Sequence, residues 1–221
     1  MSQAAAKPAL VTTEAKRAEE LRGDERRGDE RRGDERRQKL LQAAARCFIT
    51  SGFHGARMAQ IAKEAQMSPG LIYHYFDSKE DIIAAMVRAH ADEKRCMVDS
   101  LEAAGPHVID QLLDNMAESV ESTTDPFWSA LMLEMTAEAT RSPQIAETLR
   151  AVDAEIKERV LASLAQGVDG EEIDTRLELF VAMLQGVGIR NILNPALDKA
   201  AAIRLMKDVV GVLFPKKSGP A

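Results

Sequence analysis

The sequence predicts an all-α fold: a small N-terminal three-helix domain, then a larger helical domain, about nine helices in total. Three observations point there. Apolar residues recur at spacings of three and four along most of the chain. Aromatic residues make up only 4%, while Ala, Leu, Glu, Arg and Met are plentiful, and straight-chain side chains lose little rotamer freedom in a helix. No alternating β-branched run and no hairpin dipeptide between such runs marks a strand.

Residues 1–33 read as a flexible, solvated arm. It carries Arg-Gly-Asp-Glu-Arg three times over, from Arg22 to Arg36. A glycine every fifth residue costs a helix about 1 kcal/mol each time. Arg26 and Glu30, like Arg31 and Glu35, still stand at helical spacing and allow a frayed helical extension. The arm's arginines suit phosphates.

The texture changes at Asp34. Leu40, Leu41, Ala44, Ala45, Phe48 and Ile49 form one apolar face of a helix, with Asp34 as its N-cap and Gly52 as a left-handed stop. Met58, Ile61, Ala62 and Ala65 give a second helix, and Gln66-Met67-Ser68 a turn. Ser68 caps a third, very short helix with Pro69 at its first position. Ser78 caps a long fourth helix that ends at Gly105-Pro106. Further helices are expected over 107–121, 126–140, 143–166, 170–193 and 197–213, divided by Asp125-Pro126, Ser142-Pro143, Gly167 to Gly170 and Asn194-Pro195. The domain boundaries fall at 34–82 and 83–215, leaving a flexible tail at 216–221.

Two short helices joined by a tight turn over 58–77, with a first helix bracing them, make a helix-turn-helix. Ile72, Tyr75 and Phe76 back the third helix against Phe48, Phe53 and Ile61, so its other face offers Gly70, Leu71, Tyr73 and His74. Ser68 and the free N–H groups around it and Pro69 suit a phosphate. Charge agrees: residues 1–80 carry a net +3 and residues 81–221 a net −9, within a total of −6.

The run from Leu40 through Phe53, Ile61-Ala62, and then Ser68-Pro69-Gly70-Leu71-Ile72-Tyr73-His74-Tyr75-Phe76-Asp77-Ser78-Lys79-Glu80 resembles the DNA-binding domain of the TetR family of bacterial regulators. The resemblance covers about residues 34–82. It implies that Tyr73 and His74 contact phosphates, with Tyr73 also within reach of base methyl groups. It further implies that Lys79 holds another phosphate, and that Arg57 and Gln60 reach the backbone or a base edge. Three positions depart from the family's pattern. Arg57 stands where a Ser or Thr cap is usual, Gln66 where a turn glycine is common, and Leu71 where a hydroxyl residue is frequent. The turn must then hold a side chain at some conformational cost, and Leu71 substitutes an apolar contact to a thymine methyl for a hydrogen bond.

The same resemblance implies a homodimer on double-stranded operator DNA, with the last two long helices as the interface. Leu177, Phe180, Val181, Leu184 and Gly188 repeat at helical spacing there, as do Ile203, Met206 and Val210; such stripes form core or partner faces equally well. The larger domain is expected to enclose an apolar cavity for a small-molecule effector. Its candidate walls are Phe127, Trp128, Met132 and Met135, with Glu134 or Gln185 as polar handles.

Other classes fit less well. A helical enzyme or metalloprotein needs convergent ligands, and Glu134 and Glu138, four apart, lack an accompanying Glu-x-x-His motif. Gly186-Val187-Gly188 follows no strand, so it is no dinucleotide fingerprint. Cys47, Cys96 and the four histidines form no metal or catalytic constellation, and no cofactor or metal is expected. A protein-binding adaptor is the remaining alternative. No apolar stretch is long enough to span a membrane and the N-terminus lacks a signal-like apolar block, so a cytoplasmic address is the expectation. The family resemblance implies a regulator, most often a repressor, of an efflux or catabolic gene.

Overall fold

A computed structural model describes residues 9–168 and 171–217, with side chains from residue 31 onward. Among the described residues ten α-helices follow one another: α1 (Ala9–Gly55), α2 (Met58–Glu64), α3 (Pro69–Tyr75), α4 (Lys79–Ala104), α5 (Val108–Asp114), α6 (Met116–Thr123), α7 (Pro126–Ala139), α8 (Pro143–Gly167), α9 (Ile173–Leu193) and α10 (Lys199–Leu213). A 3₁₀ turn at Gly105–His107 joins α4 to α5. Among the described residues there is no strand, only an isolated antiparallel bridge between Val168 and Lys216.

The start signals written in the sequence operate as caps. Ser78 accepts from the Asp81 amide, Asp125 from Trp128, Ser142 from Ile145 and Asp198 from Ala201. Pro126 and Pro143 occupy the first helical turn, where the missing N–H costs nothing. Ser68 is an exception: it holds the N-cap position of α3, but its side chain makes no capping bond.

Four expectations need correction. The first helix does not begin at Asp34; its backbone is helical from Ala9, and the contiguous Arg and Glu pairs at i,i+4, Arg31–Glu35 among them at 3.9 Å, fall on that helix. Residues 9–33 are therefore helix, and 1–8 lie outside the described residues. The expected 107–121 helix is two, because Asn115 turns the chain at φ −73° and ψ −7° between α5 and α6. The penultimate helix starts at Ile173, after Glu172 in a left-handed conformation. Finally, Lys216 and Lys217 are pinned: the Lys217 amide and ammonium donate to the carbonyls of Gly167 and Ala165, and Lys216 pairs with Asp110. Residues 218–221 lie outside the described residues. Gly52, the predicted stop, does take positive φ (68°) and kinks the end of α1.

Two apolar cores organise the bundle. One joins Leu40, Phe48, Phe53, Ile61, Ile72, Phe76, Ile82 and Met86 to Leu131, Met135 and Ile145 of α7 and α8. The predicted boundary near residue 82 is thus crossed by packed side chains. The second gathers Leu101, Val108, Met116, Leu164, Leu177, Phe180, Met206, Val210 and Phe214. Helix α4 contributes to both.

Candidate nucleic-acid interface, ligand cavity and partner face

The α2–turn–α3 unit stands on the first core. Ile61 and Ala62 of α2, Ala65 just after it and Ile72 of α3 are buried with Phe48, Phe53 and Phe76, which fixes the angle of α3; Tyr75 is partly buried against them. Arg57, Gln60, Ser68, Pro69, Gly70, Tyr73 and His74 are exposed and Leu71 is half-buried. Tyr73, 55% exposed, is a large aromatic left in solvent, and the His74 ring packs edge-on against Tyr75. Arg57 holds the N-cap position of α2 without a side-chain bond, leaving its guanidinium on the same surface. Gln66 sits at φ 59°, the left-handed turn that glycine takes most easily.

Lys79 is placed differently from expectation. Its ammonium donates to the Phe53 carbonyl at 2.6 Å and the Ala56 carbonyl at 3.0 Å, and lies 4.4 Å from the Phe53 ring centroid. A cation there satisfies carbonyls left over at the end of α1. It locks the start of α4 to the end of α1, which braces the reading unit, instead of facing outward for a phosphate.

A second junction ties the unit to α7. His54 Nε2 lies 3.1 Å from Oε2 of Glu138, a carboxylate only 4% exposed, and Arg141 reaches the same oxygen at 3.1 Å.

Between α4, α7, α8 and α9 lie two hollows of about 500 and 240 Å³ that share His90, Lys94, Trp128, Met132, Thr136 and Gln185. Of the predicted walls, Trp128, Met132 and Gln185 are here. Phe127 is exposed outside it, Met135 is sealed in the first core, and Glu134 points toward Gly52. Sequence reasoning missed His90 and Lys94; their i,i+4 spacing on α4 was the available signal. The His90 ring stacks on Trp128 with centroids 3.6 Å apart and planes 21° apart. Burial, reinforced by Lys94, pushes the His90 pKa down to about 4, so the ring is neutral near pH 7. Glu93 Oε2 stands 3.6 Å from its Nδ1, too far for a hydrogen bond, and that nitrogen has no partner. Burial also lowers the Lys94 pKa, against the pull of Glu118 and Glu93.

The predicted partner residues are mostly spent inside the chain. Leu177, Phe180, Gly188, Met206 and Val210 are buried, and Val181, Leu184 and Ile203 pack partly buried against the second core. Phe180 meets Phe214 edge-on. Gly188 allows close approach, but to the chain's own α6: a Cβ there would stand 2.5 Å from the Thr123 carbonyl oxygen. The apolar face left open is the opposite one. Among the described residues, six of the nine exposed large hydrophobic side chains lie on α9 and α10: Leu179, Ile189, Ile192, Leu193, Leu205 and Val212. Such concentration on two adjacent helices makes this face the candidate partner surface.

Among the described residues no group of His, Cys, Asp and Glu could hold a metal, and no helix is long and apolar enough to cross a membrane.

Comparison with known proteins agrees with this geometry. Residues 40–86 match the family of bacterial regulatory proteins of the tetR type, and residues 107–215 match the C-terminal domain of BetI-type transcriptional repressors. The chain is 38% identical over 117 residues to the HTH-type transcriptional regulator UidR of Escherichia coli K12, a match covering 52% of this chain and 57% of that protein. It therefore aligns with little more than half the length of that relative. It is 28% identical to the HTH-type transcriptional regulator BetI of Rhizobium meliloti over 79% of this chain and 87% of that one. The structure of Salmonella enterica GusR superposes with a TM-score of 0.63 at 25% identity, covering 81% of this chain and 95% of that chain.

Proposed function

The chain belongs to the TetR family of bacterial regulatory proteins, and on that premise we propose that it is a ligand-responsive transcriptional repressor. It binds a palindromic operator as a homodimer and is released by a small apolar or amphipathic effector, and an efflux or catabolic gene is the target class. The observation that carries this reading is the outward face of α3: Tyr73 and His74 stand in solvent while Ile72 and Phe76 are buried beneath them. Among the described residues only the Tyr75 ring packs against that face, through His74, and the shape of the face suits a major groove.

In this reading Tyr73, His74, Ser68 and Arg57 hold phosphates, and Gln60, Gly70 and Leu71 face base edges. The shared hollow around Trp128, Met132 and Gln185 takes the effector. Helix α4 links the two, since His90 and Lys94 line the hollow and Lys79, at the other end, clamps the end of α1 that braces the reading unit. An effector that prefers one setting of α4 shifts the population of dimers whose recognition helices fit successive grooves. A coupling of about 1–3 kcal/mol is ordinary for such a switch.

The test is selection of bound fragments from genomic DNA, followed by gel shifts on the enriched site. A palindromic motif is expected, with binding lost in a Tyr73→Ala/His74→Ala variant that still folds. Attraction that depends on salt but is blind to sequence, equal in both proteins, would overturn the regulator reading.

A further inference from the structure

We infer that the hollow beside Trp128 takes an organic anion, a ligand with a carboxylate on a flat apolar body, whose charge pairs with Lys94. This rests on the hollow being the effector site. The Lys94 ammonium lines both lobes and donates to Ser122 Oγ at 2.7 Å. Among the described residues, no carboxylate stands within 4.0 Å of it. Glu118 and Glu93 pull on it from farther away, so a half-buried ammonium held by one hydroxyl lacks a counter-charge in direct contact.

Across the larger lobe the charges are unevenly used. Glu178 is already engaged by Lys157 at 2.6 Å, and Lys157 also holds Asp174 at 2.8 Å. Asp153 lines this lobe and also the small neighbouring hollow that Lys157 and Glu178 border. Arg150 and Asp153 both line the lobe with no ion pair among the described residues, and their charges offset each other. Lys94 therefore leaves the lobe's unused charge net positive. Beside Thr136, Gln185 and the His90 ring, the wall carries the apolar side chains of Trp128, Met132, Leu149, Val152, Ile156 and Val181. Such a surface holds a planar body, and the Lys94 ammonium fixes its acidic end.

A cationic ligand fits poorly. The stacked His90 ring covers a face of Trp128 that a cation would use, and Lys94 would repel the newcomer at short range.

Trp128 is the only tryptophan, so its fluorescence reports occupancy in the full chain without DNA. Phenylacetate and octanoate would be titrated beside benzyl alcohol and benzyltrimethylammonium, in the wild type and in Lys94→Met and Lys94→Arg. Carboxylates are expected to bind at least about tenfold more tightly than the alcohol. That preference should vanish in Lys94→Met and survive in Lys94→Arg, with both variants melting like the wild type. If either variant is unfolded, Lys94→Gln replaces it in the same titration. Equal or tighter binding of the alcohol or the ammonium overturns the inference. So does a preference untouched by Lys94→Met, or no saturable signal from either carboxylate up to about 10 mM. A chain that binds its operator but sorts nothing by charge sinks this inference alone. One that sorts by charge but reads no DNA sequence sinks the regulator reading alone.

Discussion

Gln66 holds a backbone conformation that costs a side chain about 1 kcal/mol more than it costs glycine. Its side chain offers little in return, a long 3.5 Å contact from the Lys39 ammonium. Gln66→Gly is therefore expected to stabilise the protein by about 0.5–1 kcal/mol, less the entropy that glycine adds to the unfolded chain, read as a higher urea midpoint. His90 gives a second residue-scale expectation. Its folded pKa, about 4, lies below the ordinary 6.5. Below pH 6.5 the unfolded chain takes a proton that the folded ring refuses, so stability is lost as pH falls from about 6.5 to 4 and the loss is complete below that. The size is at most about 3 kcal/mol. The charged groups around it are Glu93 and Lys94 on its own helix and Arg150, Asp153 and Glu178 across the hollow. Denaturation at pH 7 and pH 5 should show this slope in the wild type and not in His90→Phe. The lowered carboxyls of Glu102 and Asp110, each held down by a hydrogen bond from a cation, lose their contribution only at more acidic pH. The glycine-like demand at Gln66 was legible through the family resemblance, whose pattern commonly has a turn glycine at that position. The use of Lys79 was not, since its acceptors lie more than twenty residues back.

At the scale of elements, caps and prolines made most helix boundaries legible, because a cap and its target amide are three residues apart. Faces were harder. Helix α9 is apolar on more than one side, and Leu177 and Leu179 differ in fate, one buried and one 54% exposed, for reasons no periodicity contains. Which stripe became core was decided by α6 and α10 arriving against it. Gly188 and Gly186 make a paired test of that packing. A Cβ on Gly188 would meet the Thr123 carbonyl oxygen at 2.5 Å and the Thr123 methyl at 3.0 Å, whereas one on Gly186 meets nothing within 4 Å. Gly188→Ala is expected to destabilise by about 1–3 kcal/mol, because backbone must move. Gly186→Ala should stabilise by up to about 1 kcal/mol through helix propensity. Thermal melts of the two variants side by side check both signs. Similar melts for the pair would mean that α6 and α9 do not pack this closely.

The whole molecule poses a different question: whether one chain is a complete machine. The reading face belongs to a single short helix, and one α3 contacts only one stretch of groove. The open apolar face of α9 and α10 supplies the means to bring a second copy, and a two-fold axis would pair that face with itself. On this argument the partner surface consists of Leu179, Leu193, Leu205 and Val212, and not of the buried stripe that resembles it in sequence. Leu193 and Leu205, 70% and 64% exposed, stabilise nothing inside the chain, so charging them leaves the fold intact. A Leu193→Lys/Leu205→Lys variant sets like charges against each other across the axis as well as removing apolar area. It is expected to sediment as a 24.2 kDa monomer with an unchanged melting profile at low concentration. Its affinity for the full operator should fall by at least about a hundredfold, because the second reading head no longer arrives with the first. Binding to a half-site should be unchanged. A variant that stays dimeric would move the interface elsewhere on the chain. A monomer that still held the full operator would sever dimerisation from recognition.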